Sequence, residues 1–228
     1  MYTCNIKIYL MEGIKVIITG ATGMVGEGVL LECLLDVKIK EVLLVSRRQF
    51  DLTHPKLRQL LMSDFTKATE HADVLKGFDA CFYCAGVSSV GMAEEKYHYI
   101  TYETTLAFAE VLAKQNPNMV FVYVSGANTD STESGRSMWA RVKGKTENAL
   151  LRLPFRDAYN FRPGIIKPFP GQKNVGLLLK IVAWIFPAIL PSFSLELSQI
   201  GRAMINSVIA GYEKKILEIK DIRELASR

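Results

Sequence analysis

Thr19-Gly20-Ala21-Thr22-Gly23-Met24-Val25-Gly26 is the stretch of this sequence that decides the fold. An apolar run, Ile14 to Ile18, precedes it, and an amphipathic run, Val25 to Leu35, follows it. This order predicts a strand, a tight glycine turn and a helix. In such a unit one glycine makes the turn, one lets a pyrophosphate approach the backbone, and one lets the helix pack closely on the strand. The stretch therefore predicts a dinucleotide-binding turn, and an ordinary strand–helix turn is the alternative.

Strands and helices alternate along the rest of the chain. Apolar runs predict strands near 14–19, 41–45, 57–63, 79–84, 119–125 and 158–161, and helical patterns predict helices near 24–35, 68–75, 92–114, 137–151 and 195–210. The alternation predicts an α/β fold, a doubly wound parallel sheet of the Rossmann type with helices on both faces. We expect one domain over residues 12–228, with an N-terminal extension at 1–11 and a small C-terminal lid or substrate region at about 165–228.

The composition excludes several classes of protein. Hydrophobic residues make up 49% of the 228, which is too many for a disordered chain. The net charge is +5, but the basic residues are scattered among 23 acidic residues and form no block of like charge. We therefore expect a phosphate-bearing ligand rather than nucleic acid. The three histidines show no ligand spacing. Cys81 and Cys84 lie in a predicted strand, where residues three apart point to opposite faces, so no metal site is expected.

The most apolar region runs from Val175 to Pro191. The uncharged stretch that begins in this region runs from Ile181 to Leu195. As a helix it would span about 22 Å, which is short of the roughly 30 Å hydrocarbon core of a bilayer. No transmembrane span is expected, and the alternatives are a lid over an apolar pocket, a membrane-surface contact or a homo-oligomer contact. The first ten residues lack the pattern of a signal peptide, and the cysteines suggest no disulfide framework, so we expect a cytoplasmic protein.

The spacing Gly-x-x-Gly-x-x-Gly, from Gly20 to Gly26, resembles the short-chain dehydrogenase/reductase superfamily in its extended and atypical branches. The resemblance runs from about Lys15 to about Pro168 and is strongest at the turn. The order of the later serine, Lys-Gly and Arg-Pro-Gly elements is similar to the Tat-interacting tumour-suppressor-like branch. The resemblance implies a nicotinamide dinucleotide that is held at the turn by Gly20, Thr22, Gly23, Met24, Val25 and Gly26.

Strand two ends at Ser46-Arg47-Arg48, beside the expected position of the adenosine ribose. An acidic residue there would bind both ribose hydroxyls and repel a 2′-phosphate. A guanidinium instead binds a phosphate through its charge and its bidentate fork. We therefore expect NADP in preference to NAD, and the alternative is two solvated surface arginines.

Two further strand ends are expected at the cofactor. Asp64 and Phe65 follow strand three, where the resemblance implies contact with adenine, and a helix cap by Asp64 is an equally strong alternative. Cys84-Ala85-Gly86 ends strand four, where small residues let a ribose lie close to the backbone.

The catalytic set of the superfamily is a serine after strand five and Tyr-x-x-x-Lys on the next helix. Ser125 supplies the serine and Lys143 the lysine, but Trp139 stands at the tyrosine position. An indole N–H donates a hydrogen bond and cannot act as an acid or a base, so the proton relay is lost unless a tyrosine from another element replaces it. The candidates are Tyr97, Tyr99, Tyr102 and Tyr123. After strand six, Arg162-Pro163-Gly164 resembles an element whose backbone meets the nicotinamide carboxamide.

Two functions follow from these residues. The first is an NADP-dependent oxidoreductase that reduces a small carbonyl or apolar substrate. Ser125 would polarise the carbonyl oxygen, Lys143 would hold the nicotinamide ribose, and a water or another tyrosine would complete the proton path. The alternative, favoured by Trp139, is a non-catalytic NADP-binding sensor or assembly factor. A nucleotide-sugar epimerase or dehydratase fits less well, because the tyrosine is missing and only 66 residues follow Arg162.

Overall fold

The computed structural model describes residues 13–167 and 193–228, so the N-terminal extension and the apolar region at 175–191 lie outside the described residues. The main sheet contains β1 (Ile14–Thr19), β2 (Ile39–Ser46), β3 (Leu57–Leu61), β4 (Ala80–Tyr83), β5 (Val120–Val124), β6 (Asp157–Phe161) and β9 (Ile216–Leu217). A separate two-stranded sheet contains β7 (Ile165–Lys167) and β8 (Ser194–Glu196).

The helices in these ranges are α1 (Met24–Leu35), α2 (Glu94–His98), α3 (Thr104–Gln115), α4 (Met138–Leu150), α5 (Leu197–Ile209) and α6 (Ile219–Ala226). A 3-10 helix covers Phe65–His71, and a π-helical segment, Tyr99–Glu103, joins α2 to α3. None of the helices that the structure describes is both long and apolar enough to span a bilayer.

The strand order is β3-β2-β1-β4-β5-β6-β9, and every neighbouring pair is parallel. The chain builds outward from β1 in one direction to β3, then returns to build in the other direction from β4. The carboxyl ends of β1 and β4 therefore lie side by side, with Thr19 paired to Tyr83. In open α/β sheets the crevice at this reversal is where ligands bind. The predicted doubly wound parallel sheet is confirmed.

Alternation along the strands divides the core into two layers. Val16 and Ile18 of β1 pack in the layer that contains α1, α5 and α6, and Ile17 packs in the opposite layer. The opposite layer contains an aromatic cluster in which the rings of Phe65 and Phe108 stack at 5.0 Å. Because successive side chains of a strand point to opposite faces, both layers can be apolar along one buried strand.

The same alternation separates two cysteines. Cys81 is buried in the aromatic layer, whereas Cys84 packs against the other layer. Cys33, Cys81 and Cys84 are free thiols. The prediction that Cys81 and Cys84 point to opposite faces is confirmed.

The C-terminal part contains elements that no sequence pattern predicted. The predicted helix near 195–210 is α5, but β8 comes directly before it, and Glu196 and Gln199 form a reciprocal capping box at its start. β9 contributes a seventh strand through only two paired residues, Ile216 and Leu217. Strands of two or three residues carry too little sequence to show a period, so their pairing partners define them.

Helix α5 lies against α1 at a distance that only glycine permits. A Cβ atom on Gly28 would be 1.9 Å from Cδ2 of Leu197, a side chain that is itself 1% exposed. On the other side of the contact, a Cβ on Gly201 would be 2.7 Å from Cβ of Glu32. Glycines on both helices therefore set the separation of α1 and α5.

We expect Gly28→Ala to lower the free energy of unfolding by about 1–3 kcal/mol, because Leu197 has no space into which it can move. In a Leu197→Ala background the same substitution should be neutral, or stabilising by up to about 1 kcal/mol, because alanine has the higher helix propensity. Urea unfolding of the four proteins in this cycle measures the coupling. An equal loss in both backgrounds would show that the contact does not set the helix separation.

Candidate functional site

A cleft with a volume of about 710 Å³ opens at the carboxyl edge of the sheet, where β1 and β4 lie side by side. This is the size range of small-molecule and cofactor sites. The ends of β1, β2, β3 and β4, the π-helical segment and the first residue of α3 supply its lining. The lining residues are Gly20, Thr22, Gly23, Val45, Ser46, Arg47, Arg48, Ser63, Asp64, Phe65, Tyr83, Cys84, Ala85, Gly86, Val87, Tyr99, Ile100 and Thr104.

The glycine turn forms the floor of the cleft. Gly20 has φ +76°, and a Cβ on it would be 2.6 Å from the backbone N of Ala85. A Cβ on Gly26 would be 2.2 Å from the carbonyl oxygen of Gly20. These two glycines let β1, the end of β4 and the start of α1 meet backbone to backbone.

Gly23, unlike Gly20 and Gly26, has open space beside it. A Cβ on Gly23 would have a single neighbour, the Gly20 carbonyl oxygen at 3.4 Å, and Gly23 is exposed in the cleft. It is also the N-cap of α1 and brings no side chain to the first-turn N–H groups. An uncapped helix N-terminus beside open space suits a phosphate, through its N–H groups and the helix dipole. The residues at the turn therefore fit the pyrophosphate of a dinucleotide.

The end of β2 places two cations at the cleft. Arg47 and Arg48 are exposed and line it, and neither forms an ion pair within the described residues. The Ser46 hydroxyl donates to the Arg48 carbonyl oxygen at 2.6 Å, which ties the backbone of this turn. Burial raises the pKa of the Tyr83 phenol, and the positive charge of the nearby Arg47 slightly opposes that rise. The two guanidinium groups are therefore available to an anionic ligand.

Asp64 and Phe65 also line the cleft, and the structure gives each a local role. Asp64 Oδ1 accepts from the backbone N of Thr66 at 2.9 Å and from its hydroxyl at 2.7 Å, so Asp64 caps the 3-10 helix. The hydrogen bonds from Thr66 hold the pKa of the Asp64 carboxyl below its usual value. The ring of Phe65 is mostly buried against Phe108 and Tyr83.

The helical region after β4 contributes Tyr99, Ile100 and Thr104 to the cleft lining. Tyr99 was a candidate for the missing phenol, whereas Ile100 and Thr104 were not predicted as site residues. Tyr99 and Ile100 lie in the π-helical segment, and the Thr104 hydroxyl donates to the Tyr99 carbonyl oxygen at 3.0 Å. A π-segment changes which side chains face a given direction, so a regular helical period does not place them. The signal that could have indicated them is topological, because the segment after β4 begins at the reversal of the sheet.

Ser125 and Lys143 lie together beside β5, outside the set of residues that lines the cleft. Lys143 Nζ on α4 donates a short hydrogen bond to the Ser125 carbonyl oxygen. The Ser125 hydroxyl donates to the Phe161 carbonyl oxygen at 3.2 Å. Burial lowers the pKa of Lys143 to about 8, against an opposing effect of the Glu147 carboxylate one turn further along the helix.

Trp139 lies one helical turn before Lys143 on α4 and is partly exposed. Two of the four tyrosines that could replace the missing phenol are held in apolar surroundings, where burial raises the pKa values of Tyr97 and Tyr123. Tyr102 lies against the His98 ring and under Lys145 Nζ, 4.6 Å from the ring centroid. Of these four tyrosines, Tyr99 lines the cleft.

Arg162 is part of a buried ion pair and not of the cleft lining. Its Nε donates to Glu147 Oε1 at 3.0 Å, its Nη2 donates to Glu147 Oε2, and Glu147 is fully buried. The next two residues, Pro163 and Gly164, also have close contacts within the protein. The Pro163 carbonyl oxygen accepts from the Ala127 N at 3.0 Å, and a Cβ on Gly164 would be 2.6 Å from the Phe193 carbonyl oxygen.

Eleven predicted cofactor residues line the cleft, and seven others do not. Gly20, Thr22, Gly23, Ser46, Arg47, Arg48, Asp64, Phe65, Cys84, Ala85 and Gly86 belong to the first group; Met24, Val25, Gly26, Lys143, Arg162, Pro163 and Gly164 belong to the second. Met24 and Val25 pack against the core layer of α1. Residues 13–167 and 193–228 contain no group of three His, Cys, Asp or Glu side chains that could hold a metal ion.

We expect Gly23→Ala to leave the fold intact and to weaken dinucleotide binding at least tenfold, because its methyl group projects into space beside the helix N-terminus. Gly26→Ala should instead lower the thermal unfolding temperature, because its Cβ meets the Gly20 carbonyl. Circular dichroism melts and fluorescence titration with NADPH and NADH measure both effects. Equal melting temperatures for the two variants, or unchanged affinity in Gly23→Ala, would contradict these roles.

We expect Lys143→Met to be more stable than the native protein at neutral pH. Below about pH 8 the lysine is protonated in both states, so the folded state carries the full penalty of a buried ammonium. Between that value and the ordinary pKa of 10.5, the folded state loses its proton first, so native stability rises with pH. The advantage of Lys143→Met should therefore shrink by on the order of 2 kcal/mol between about pH 7 and pH 10. Urea unfolding at several pH values measures it, with Lys145→Met as the control, and a constant difference would contradict the prediction.

Comparison with known proteins agrees with this geometry. The sequence model of the NAD dependent epimerase/dehydratase family matches residues 16–137. "Protein HTATIP2" of Rattus norvegicus is 25% identical over 223 residues, which cover 95% of this chain and 91% of that protein. This likeness confirms the predicted resemblance to the Tat-interacting tumour-suppressor-like branch.

Two solved structures share the fold at lower identity. A UDP-N-acetylglucosamine 4-epimerase from Methanobrevibacter ruminantium M1 superposes with a TM-score of 0.68 at 15% identity, over 91% of this chain and 76% of that one. The Bordetella bronchiseptica enzyme WbmF in complex with NAD+ superposes with a TM-score of 0.63 at 15% identity, over 94% of this chain and 77% of that one. Since the family match spans more than half of the sequence, the chain belongs to the NAD dependent epimerase/dehydratase family, as an atypical short-chain dehydrogenase/reductase that binds a nicotinamide dinucleotide.

Proposed function

We propose that this protein is an NADP-dependent oxidoreductase that reduces a small carbonyl or apolar substrate. The observation that carries the cofactor preference is the pair of exposed arginines at the end of β2, on the rim of the cleft that the glycine turn builds. In this fold the ribose of the adenosine lies at the end of β2. A 2′-phosphate on that ribose would lie within reach of two guanidinium groups, and their charge favours it over a hydroxyl.

The other lining residues support the same preference. Asp64 is the single acidic residue among them, and it lies after β3 rather than after β2. Its Oδ1 is engaged by Thr66. No carboxylate of the lining therefore lies at the β2 end, where it would bind ribose hydroxyls and repel a phosphate.

The reaction is proposed from Ser125 and Lys143. A reduced nicotinamide supplies a hydride to the carbonyl carbon of a substrate when it is bound. Ser125 would orient the substrate oxygen, although its hydroxyl must turn away from the Phe161 carbonyl to donate to it. Lys143 would hold the nicotinamide ribose. The free thiols of Cys33, Cys81 and Cys84 suit a reducing compartment, and we propose the cytoplasm.

A second function is favoured by Trp139. A protein that binds NADP without turning it over, as a sensor or an assembly factor, has no need of a phenol beside the lysine. Burial raises the pKa values of Tyr97 and Tyr123, which makes both phenols poor acids near neutral pH. Consumption of NADPH with a panel of small aldehydes and ketones separates the two functions.

We expect NADPH to bind more tightly than NADH by at least tenfold, about 1.4 kcal/mol. Replacing Arg47 and Arg48 together by alanine should abolish that difference while NADH affinity changes little, because NADH carries no 2′-phosphate. Isothermal titration of both cofactors against both proteins measures it.

Arg58→Ala is the matched control, because Arg58 is an exposed arginine on β3 that pairs with Glu41 at 2.8 Å, away from the cleft lining. It should keep the native preference. Equal affinities for NADPH and NADH in the native protein would overturn the proposed cofactor preference.

A further inference from the structure

The proposed reduction lacks an evident acid. When a hydride reaches a carbonyl carbon, the oxygen must receive a proton, and the indole of Trp139 has none to give at neutral pH. The Ser125 hydroxyl already uses its hydrogen in the bond to the Phe161 carbonyl oxygen. The Ser125 backbone N donates to the same carbonyl oxygen at 2.9 Å, so this part of the chain is held firmly.

Lys143 is the group in this neighbourhood that has protons to offer. An ammonium carries three N–H donors, and the Ser125 carbonyl oxygen accepts one of them. Among the residues that the structure describes, no acceptor engages the other two. The amine is therefore anchored by one bond at the end of β5, with donors left for a ligand.

Resting on the proposed function, we propose that the Lys143 ammonium gives the proton to the substrate oxygen, in place of the phenol that Trp139 replaces. As a hydride forms the new C–H bond, the C=O π-electrons move to the oxygen and the oxygen takes one proton from Nζ. The product is an alcohol, the dinucleotide is left oxidised, and Lys143 is left as a neutral amine. Lys143 then regains a proton from water before the next turnover.

The charged and titratable groups around Lys143 leave its ammonium free to give its proton to the substrate oxygen. From its own helix the Glu147 carboxylate faces it, but two hydrogen bonds from Arg162, the residue directly after β6, hold that carboxylate. From β5 the ring of Tyr123 lies 5.9 Å from Nζ. Tyr97 of α2 lies near Tyr123, and burial raises the pKa values of both phenols, so both stay neutral around pH 7.

The acidity of Lys143 also supports the proposal. Burial lowers its pKa to about 8, while Glu147 limits that decrease. A general acid works best when its pKa lies near the working pH, because it is then largely protonated and still releases its proton readily. An ordinary exposed lysine, with a pKa near 10.4, would hold its proton too tightly.

The test compares the native protein with Lys143→Arg, Lys143→Met and the control Lys145→Arg. Lys145 is on the same helix and contacts His98 and Tyr102 instead. A guanidinium keeps the positive charge but cannot release a proton near neutral pH. We expect Lys143→Arg, saturated with NADPH, to show a kcat for carbonyl reduction that is lower by roughly 10²–10⁴-fold, as loss of a general acid does. Lys143→Met should lose kcat to the same degree, and Lys145→Arg should match the native protein.

Two readouts separate proton transfer from positioning. The native kcat should fall as pH rises through about 8, because only the ammonium can donate. Independently of turnover, protein labelled with ¹³C at lysine Cε should show one resonance that titrates near that pH and is missing from Lys143→Arg and Lys143→Met. Lys143→Met gives a folded reference, because it should be more stable than the native protein.

Four results would overturn the inference. Carbonyl reduction that survives in Lys143→Met, or a pH-independent native kcat, would reject Lys143 as the donor and leave the proposed reductase function standing. If Tyr99→Phe instead abolished the decrease of kcat at high pH, Tyr99 of the cleft would be the proton donor. Normal NADPH binding without reduction of any carbonyl at any pH would reject the reductase function itself, and the inference with it.

Discussion

The close approach of three backbone segments at the glycine turn is the constraint on which the site depends. Gly20 lies against the end of β4, and Gly26 lies against Gly20, at separations that leave no space for a Cβ atom. Thr19 strengthens the same contact, because its hydroxyl accepts from the Ala85 N at 3.2 Å. With β1, β4 and α1 joined in this way, the helix N-terminus and the strand ends open into one cleft. The space beside Gly23 is a consequence of this packing.

The opposite half of the site depends on a buried charge pair. Glu147 is fully buried and pairs with Arg162, the residue directly after β6. Arg162 also donates to Ser131 Oγ and, at 3.3 Å, to Glu218 Oε1. This arrangement connects α4, β6, the loop after β5 and the residue before α6. Removing one partner of a buried pair commonly destabilises a protein by about 3–5 kcal/mol, because the other charge remains without compensation. The Arg162 side chain therefore holds α4, the helix that carries Lys143, in position against β6. This role is separate from the predicted contact of the Arg162-Pro163-Gly164 backbone with the nicotinamide.

Lys143 shows how stability and chemistry compete in this half. A partly buried ammonium with one protein hydrogen bond is an unfavourable element of a fold, and its lowered pKa expresses that penalty. Arg162 uses its hydrogen bonds to secure the fold, whereas two of the three N–H donors of Lys143 have no acceptor among the described residues. Perturbed pKa values cluster at functional sites, although structural ion pairs also perturb them. Trp139 stands where a short-chain reductase has its tyrosine, and the Glu147 carboxylate one turn beyond Lys143 is held by Arg162, so Lys143 is the cation of that helix face.

The sequence by itself determined the first half of the fold and the cleft that it builds. Glycine spacing and long apolar runs are local signals, so β1, α1 and the strands up to β6 were predicted within a few residues, and so were the arginines after β2. Tertiary structure alone decided the rest. The two-residue β9 is defined by its pairing with β6, and Tyr99 and Ile100 line the cleft from a π-helical segment that no sequence pattern indicated. The engagement of Arg162 with Glu147 joins residues from two elements that no spacing rule connects. Local patterns specify which elements form, but a side chain's partner depends on which elements the sheet order brings together.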